Sequence, residues 1–250
     1  MLKRTLLALL VALASLGVMI GGEIILALRR DYLPTEPALM IEGSFGNTDA
    51  TPLRFVVLGD SAAAGVGAGD AEHAFPTLLA ERLAADGYRV EMTSLGISGA
   101  RVSDLVAEQV QPAVDMEPDL VLVAIGANDV THLTSLSDIR AGMTEAIERL
   151  KATGAPVVVA GVPDMRAAAF YEPLRSLAGW RGRSVTGAIA EVAERADVPV
   201  VPLAQETYRF FAEDSETHNS SDLFHPSAIG YARWADAIYP YLESALGLER

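Results

Sequence analysis

The chain has 250 residues, half of them hydrophobic, a formal net charge of −14 and no cysteine. That size supports one well-packed core. The lack of cysteine excludes disulfides, thiolate metal sites and a cysteine nucleophile, and the acidic balance disfavours a nucleic-acid binder, which needs a basic face for phosphates.

The N-terminus reads Lys3-Arg4 and then runs apolar from Thr5 to Gly22; Glu23 interrupts, Ile24 to Leu28 resumes, and Arg29-Arg30 closes. The apolar region of a signal peptide spans about 7–15 residues and a membrane-crossing helix about 20. The uninterrupted stretch here is 18 residues, so its length favours an uncleaved anchor over a signal peptide. Lys3, Arg4 and the α-amino group slightly outweigh Arg29 and Arg30, which places the N-terminus inside and the domain outside the cytoplasm. Secretion after cleavage is the alternative. Residues 1–30 carry four basic side chains and one acidic one, so the remainder has a net charge of −17. Such a domain is expected to be soluble and not to cling to anionic lipid. Residues 31–52 hold Pro34, Pro37, Gly43, Gly46 and Pro52 without periodicity and read as a linker. The domain is expected over 53–250.

Within it, strands alternate with helices. Leu53–Leu58 is a short apolar run closed by Gly59, as a strand buried on both faces requires. Phe75–Asp86 has helical spacing and ends at Gly87. Arg89–Leu95 reads as a strand, Ser103–Gln109 as a short helix and Asp119–Ile125 as the clearest buried strand. Leu136–Lys151 is helical, Pro156–Ala160 a strand, Leu177–Ala196 helical, Val198–Leu203 a strand and Ser227–Leu246 a final helix. This alternation implies parallel pairing with right-handed crossovers, a three-layer α/β/α sandwich of about five parallel strands. Ligands of such sheets bind beyond the carboxyl ends of the strands.

Four segments should meet there. They are Gly59-Asp60-Ser61, Gly96-Ile97-Ser98-Gly99, Gly126-Ala127-Asn128-Asp129 and Asp222-Leu223-Phe224-His225. Each alone has a structural reading as a cap or turn. Together they meet the specification for acyl transfer: a nucleophile, its base, a group that orients the base, and donors for an oxyanion. Ser61 at a strand-to-helix turn can expose its hydroxyl. His225 can take the proton, and Asp222, three residues earlier, can hold the other ring nitrogen. Gly99 can offer an unobstructed N–H and Asn128 a side-chain amide. Asp60 and Asp129 read as supports of their turns. His132 is expected at a helix start, and His73 and His218 in exposed loops. The histidines lack metal-ligand spacing, and the glycines after Ser61 lack the lysine of a phosphate loop, so neither metal nor cofactor is expected.

These four blocks, in this order, make the chain resemble the SGNH hydrolases, or GDSL esterase/lipase family, over roughly Phe55–Tyr241. The resemblance implies a flavodoxin-like sheet, Ser61, Asp222 and His225 as catalytic residues, and Ser61, Gly99 and Asn128 as the oxyanion hole. Gly96 competes with Gly99 for the glycine of the second block. Ala62 stands where the older family name has leucine, outside the catalytic set. The expected activity is a serine ester hydrolase acting on an O-acyl ester of a lipid or carbohydrate. The alternative is an anchored binding module for an acyl ligand or glycan that has lost turnover. A monomer is expected, held to the membrane only through its N-terminal helix. The stretches Asp164–Arg181 and Phe210–Ser221 are expected to shape the pocket.

Overall fold

The computed structural model describes residues 2–29, 32–33 and 39–248. Helix α1 (Leu2–Leu28) stands at the N-terminus, and its stretch Lys3–Ala27 is long and apolar enough to cross a membrane, with a mean hydropathy of 2.3 and no burial against the domain over its most apolar window. The sheet has six strands in the order β1-β3-β2-β4-β5-β6. These are β1 (Glu42–Phe45), β2 (Thr51–Gly59), β3 (Tyr88–Ser94), β4 (Leu120–Ala124), β5 (Val157–Ala160) and β6 (Val200–Val201). The last five pair in parallel. Taken alone, they follow the flavodoxin-like order 2-1-3-4-5, whose switch point lies between the first and third strands. Here that is the gap between the ends of β2 and β4.

Neighbouring residues of a buried strand serve opposite cores, because side chains alternate across the sheet. Phe55 and Val57 pack with α2 (Phe75–Ala85) and α10 (Ala228–Ala245), through Leu79, Leu83, Tyr231 and Ile238. Val56 and Leu58 pack with α4 (Val110–Asp115), α6 (Leu136–Lys151) and α7 (Leu174–Arg195), through Val110, Met143, Ile147 and Ile189. The caps are legible. Ser135 Oγ accepts from the Asp138 N–H at the start of α6, Ser227 Oγ does so from Gly230 at the start of α10, and α2 has a proline in its first turn.

Three features depart from the sequence reading. Part of the stretch read as linker belongs to the sheet: β1 pairs antiparallel with β3, Glu42 opposite Thr93 and Phe45 opposite Val90, and Ile41 is buried. Such an edge strand is held by backbone hydrogen bonds and needs no apolar alternation. Residues 34–38, also in that stretch, lie outside the described residues. Second, the expected strand Val198–Leu203 is cut to two residues. Pro202 has no N–H for the ladder, and Leu203 opens α8 (Leu203–Glu213), which α9 (Ser215–His218) follows. Third, the short helix expected to end at Gln109 continues. It comprises α3 (Val102–Asp104), a π-helical turn (Leu105–Gln109) and α4, with Pro112 in the first turn of α4. A proline there cannot donate to the preceding turn, and a π turn widens the helix where it must yield.

That π turn delivers the buried Gln109 side chain to the end of β2. Its Nε2 donates to the Gly59 carbonyl and its Oε1 accepts from the Gly59 N–H, both at 2.8 Å. Gln109 thus clamps the residue two places before Ser61. Replacing it with leucine takes the side-chain partner from the Gly59 N–H and leaves the Gly59 carbonyl only the Ile97 N–H, and is expected to destabilise the fold by about 1–3 kcal/mol. Chemical unfolding of Gln109→Leu beside the wild type checks this, and a loss below about 1 kcal/mol contradicts it.

Candidate active site

The four predicted segments meet at the carboxyl ends of β2, β3 and β4. Ser61 follows β2 at a tight turn in which Ala64 N–H donates to the Asp60 carbonyl and Val66 N–H to the Ser61 carbonyl. Gly59 lets β2 approach β4 closely, since a Cβ there would lie 2.3 Å from the Ala124 carbonyl oxygen. His225 Nε2 stands 3.0 Å from Ser61 Oγ, and His225 Nδ1 stands 2.6 Å from Asp222 Oδ2.

The loop that places the pair is tight. Leu223 sits in the left-handed region at φ 57°, and Asp222 Oδ1 accepts from Ser220 Oγ, the Phe224 N–H and the His225 N–H at 2.9–3.0 Å. These bonds hold a leucine in a conformation it seldom adopts and fold His225 back over Asp222. Oδ2 also accepts from the Leu33 N–H at 3.2 Å, so the chain just after α1 touches the same carboxylate. Burial alone would raise the Asp222 carboxyl. The hydrogen bonds from the His225 ring and from the two backbone N–H groups prevail and hold it well below the usual carboxylate range.

The two candidate glycines separate by geometry. A Cβ on Gly96 would lie 2.5 Å from Ala64 N, and its N–H donates, at 3.4 Å, to Ser94 Oγ. Gly96 is therefore a packing position against the Ser61 turn. Gly99 has φ 82° and open space where its side chain would be. Among the described residues, the N–H groups of Ser61 and Gly99 donate to no protein acceptor. Asn128 lies in the single-turn helix α5 (Ala127–Thr131), which follows Gly126 at φ 119°. One of its two amide hydrogens goes to the Ala100 carbonyl at 3.1 Å, which leaves the other. The buried Asp129 Oδ2 accepts from the Val102 N–H at 3.0 Å and so ties the third segment to the start of α3. The remaining histidines differ from expectation in two cases. His132 ends α5 rather than starting a helix, and His218 is half-buried, stacked 3.6 Å from Phe210; His73 is exposed.

Asp60, beside Ser61, is buried, and its Oδ1 accepts from the Ala62 N–H at 3.1 Å. Burial pushes its carboxyl up to about 6, against that hydrogen bond and the attraction of His225. The folded state therefore keeps a proton that the unfolded chain releases near 3.8. Stability carried by protonated Asp60 is full below that value and is lost as the pH rises through about 6. The melting temperature of Asp60→Asn relative to wild type is expected to rise across this window. A flat difference from pH 4 to 7 measured by thermal unfolding would contradict the burial argument.

A cavity of about 440 Å³, within the range of small-ligand sites, opens beside Ser61 and His225. Ala124, Ile125, Met165, Phe211, Phe224 and Trp234 form much of its apolar wall. Arg166, Glu172, Arg175 and Tyr208 add polar groups. The wall comes from the segment before α7 and from α8 and α9, the two stretches expected to shape the pocket. The second of them is largely helical rather than loop.

A doubly wound sheet whose switch point carries a serine, a histidine and a carboxylate in hydrogen-bonded series defines an SGNH-type hydrolase. The chain belongs to the GDSL-like lipase/acylhydrolase family, whose model matches residues 57–233. It is similar to the GDSL-like esterase Rv1075c of Mycobacterium tuberculosis, 34% identical over 198 residues, which are 78% of this chain and 63% of that one. It is also similar to esterase TesA of Pseudomonas aeruginosa, 26% identical over 84% of this chain and 99% of that one. The solved lipase/acylhydrolase of Enterococcus faecalis shares the fold, with a TM-score of 0.63 and 20% identity over 77% of this chain and 96% of that one.

Proposed function

We propose that the protein is a serine ester hydrolase that works through an acyl-enzyme. The observation that carries this is the series Ser61 Oγ, His225 Nε2, His225 Nδ1, Asp222 Oδ2 at the edge of an apolar cavity. Ser61 Oγ attacks the ester carbonyl carbon while His225 Nε2 takes its proton. Asp222 keeps the ring in the tautomer that accepts at Nε2 and stabilises the imidazolium that forms. The oxyanion is received by the N–H groups of Ser61 and Gly99 and by the free amide hydrogen of Asn128. Collapse breaks the bond to the leaving alcohol, which receives the proton from His225. Water then enters, gives a proton to His225 and attacks the acyl carbon; collapse breaks the bond to Ser61 Oγ, which takes the proton back from His225 as the acid leaves.

The substrate is an O-acyl ester of a lipid or carbohydrate, and the apolar wall favours a hydrocarbon acyl chain over a sugar. The helix Lys3–Ala27 tethers the enzyme as a single span, with the domain outside the cytoplasm and a catalytic unit that starts at the edge strand Glu42–Phe45. The length and hydropathy of that helix support the reading. The charge of −14 argues against a nucleic-acid partner.

A fluorophosphonate probe applied to the full chain tests the mechanism. The expected result is one adduct, on the peptide carrying Ser61, together with hydrolysis of p-nitrophenyl acetate. No adduct and no turnover from a folded chain would favour a binding module. Intact mass of the membrane fraction tests the tether, since a chain shortened near residue 30 means secretion.

A further inference from the structure

The first turns of α7 differ from the rest of this acidic domain. Between Glu172 and Glu191 there is no acidic residue, but there are Arg175, Arg181 and Arg183. None of the three has a carboxylate within salt-bridge distance among the described residues. Arg175 and Arg181 donate to backbone carbonyls, of Phe170 and Ala168 and of Thr134. Arg183 is exposed. Leu177, Trp180 and Arg183 recur at a spacing of three and so share one helix face. Leu177 is 43% and Trp180 60% exposed, and Tyr171, just before the helix, is 63% exposed. Apolar and aromatic groups beside unpaired cations are the composition of a surface that meets lipid headgroups.

The candidate span is built against this same helix end. Glu23 Oε2 accepts from the Leu174 N–H at 2.9 Å. Glu23 lies four residues before Ala27, where the span ends, so this contact sits about 6 Å inside that end. The start of α7 therefore reaches the level of the headgroups when α1 is in a bilayer. The acidic residue that is awkward within an apolar span gains a backbone partner there. A second tie agrees. Tyr32 meets Phe224 edge-on at 5.5 Å, and the Leu33 N–H reaches Asp222. Leu33 is six residues past the end of the span, so the chain can separate Asp222 from that end by only about 20 Å.

We propose that the α7 face of Leu177, Trp180 and Arg183, with Tyr171, rests in the headgroup layer of the membrane that α1 crosses, and that the cavity takes its ester from that leaflet. Ser176, next to Leu177, already lines the cavity, so its mouth borders the docked face. The net charge of −17 outside the leader sets the behaviour of the domain as a whole, and this face is its local exception. The docking stands on its own geometry. The delivery of an ester rests on the esterase reading above.

The test uses the full chain, its mass confirmed as intact, reconstituted in phosphatidylcholine–phosphatidylglycerol vesicles that carry a nitroxide near the acyl-chain head. The chain has two tryptophans, and Trp234 is buried, so the emission lost in Trp180→Phe belongs to Trp180. Docking predicts that labelled lipid quenches this component roughly twofold or more, and that iodide on both faces of the bilayer quenches it weakly. Quenching by iodide and not by lipid overturns the proposal. So does protection from both, which means that protein covers the face. In the same vesicles, Leu177→Asp with Trp180→Asp is expected to lower hydrolysis of a long-chain ester dissolved in the bilayer by roughly tenfold, leaving water-soluble p-nitrophenyl acetate unchanged. An equal loss on both esters, or on neither, overturns delivery from the leaflet. If the wild type hydrolyses neither ester, the esterase reading fails, while the quenching still decides the docking.

Discussion

Ser61→Ala is expected to lower the turnover of p-nitrophenyl acetate by roughly 10⁴–10⁶-fold while the melting temperature stays close to that of the wild type. The hydroxyl is the only group within hydrogen-bond reach of His225 Nε2 among the described residues, at 3.0 Å. Without it the ring has no alcohol to deprotonate, and only the oxyanion donors and the cavity remain to help a water attack. The structural loss is small, because Ser61 is half-buried beside a cavity and water can replace the missing partner. The members of such a set act as a unit, so adding His225→Ala to Ser61→Ala should change turnover little further. Turnover of Ser61→Ala above about one-hundredth of wild type would show that another residue attacks.

Asp222→Asn should cost about 10⁴-fold in turnover, for a different reason. The carboxylate has two distinct sides. Oδ1 accepts from Ser220, Phe224 and His225, and an asparagine oxygen can keep those bonds. Oδ2 accepts from His225 Nδ1 and from the Leu33 N–H. An amide nitrogen there sets a donor against two donors. The imidazole relieves the conflict by moving its proton to Nε2, where it can no longer accept from Ser61. Stability should shift as well. The native carboxyl is held below its ordinary 3.8, so its contribution is present above that value and disappears as the pH falls. The difference in melting temperature between wild type and Asp222→Asn should thus narrow toward strongly acid pH. A variant that keeps a tenth or more of wild-type turnover would mean that Asp222 does not set the tautomer.

The two substitutions also mark what could be read without coordinates. Ser61, Asn128, Asp222 and His225 stand in short motifs whose residue types already specify acyl-transfer chemistry, and each motif follows a strand or precedes a helix. The strands were legible for the same local reason: runs such as Leu120–Ala124 are apolar at every position, and only burial on both faces explains that. The edge strand Glu42–Phe45 carried no such signal, since its partner, β3, lies about fifty residues on and holds it mainly through the backbone ladder. The continuation of the helix through Pro112 was hidden because proline there normally marks an end. Gln109 could not be singled out, because its role depends on a π turn that aims it at Gly59.

The alternation of β2 to β6 with helices, the parallel pairing of those strands and the four segments that meet at one end of the sheet followed from the sequence by itself, because periodicity and short motifs are local properties. Three matters were decided only by the folded molecule. Gly99 rather than Gly96 has an open N–H, because the Gly96 N–H is turned to Ser94 Oγ while its missing Cβ makes room for the Ser61 turn. The helices of 203–218 wall the cavity, because Pro202 ends the sheet early. The chain after α1 touches Asp222, and Glu23 meets the start of α7, across 189 and 151 residues of separation. Contacts of that range depend on which ends of the sheet and helices come together, and no window of sequence contains both partners.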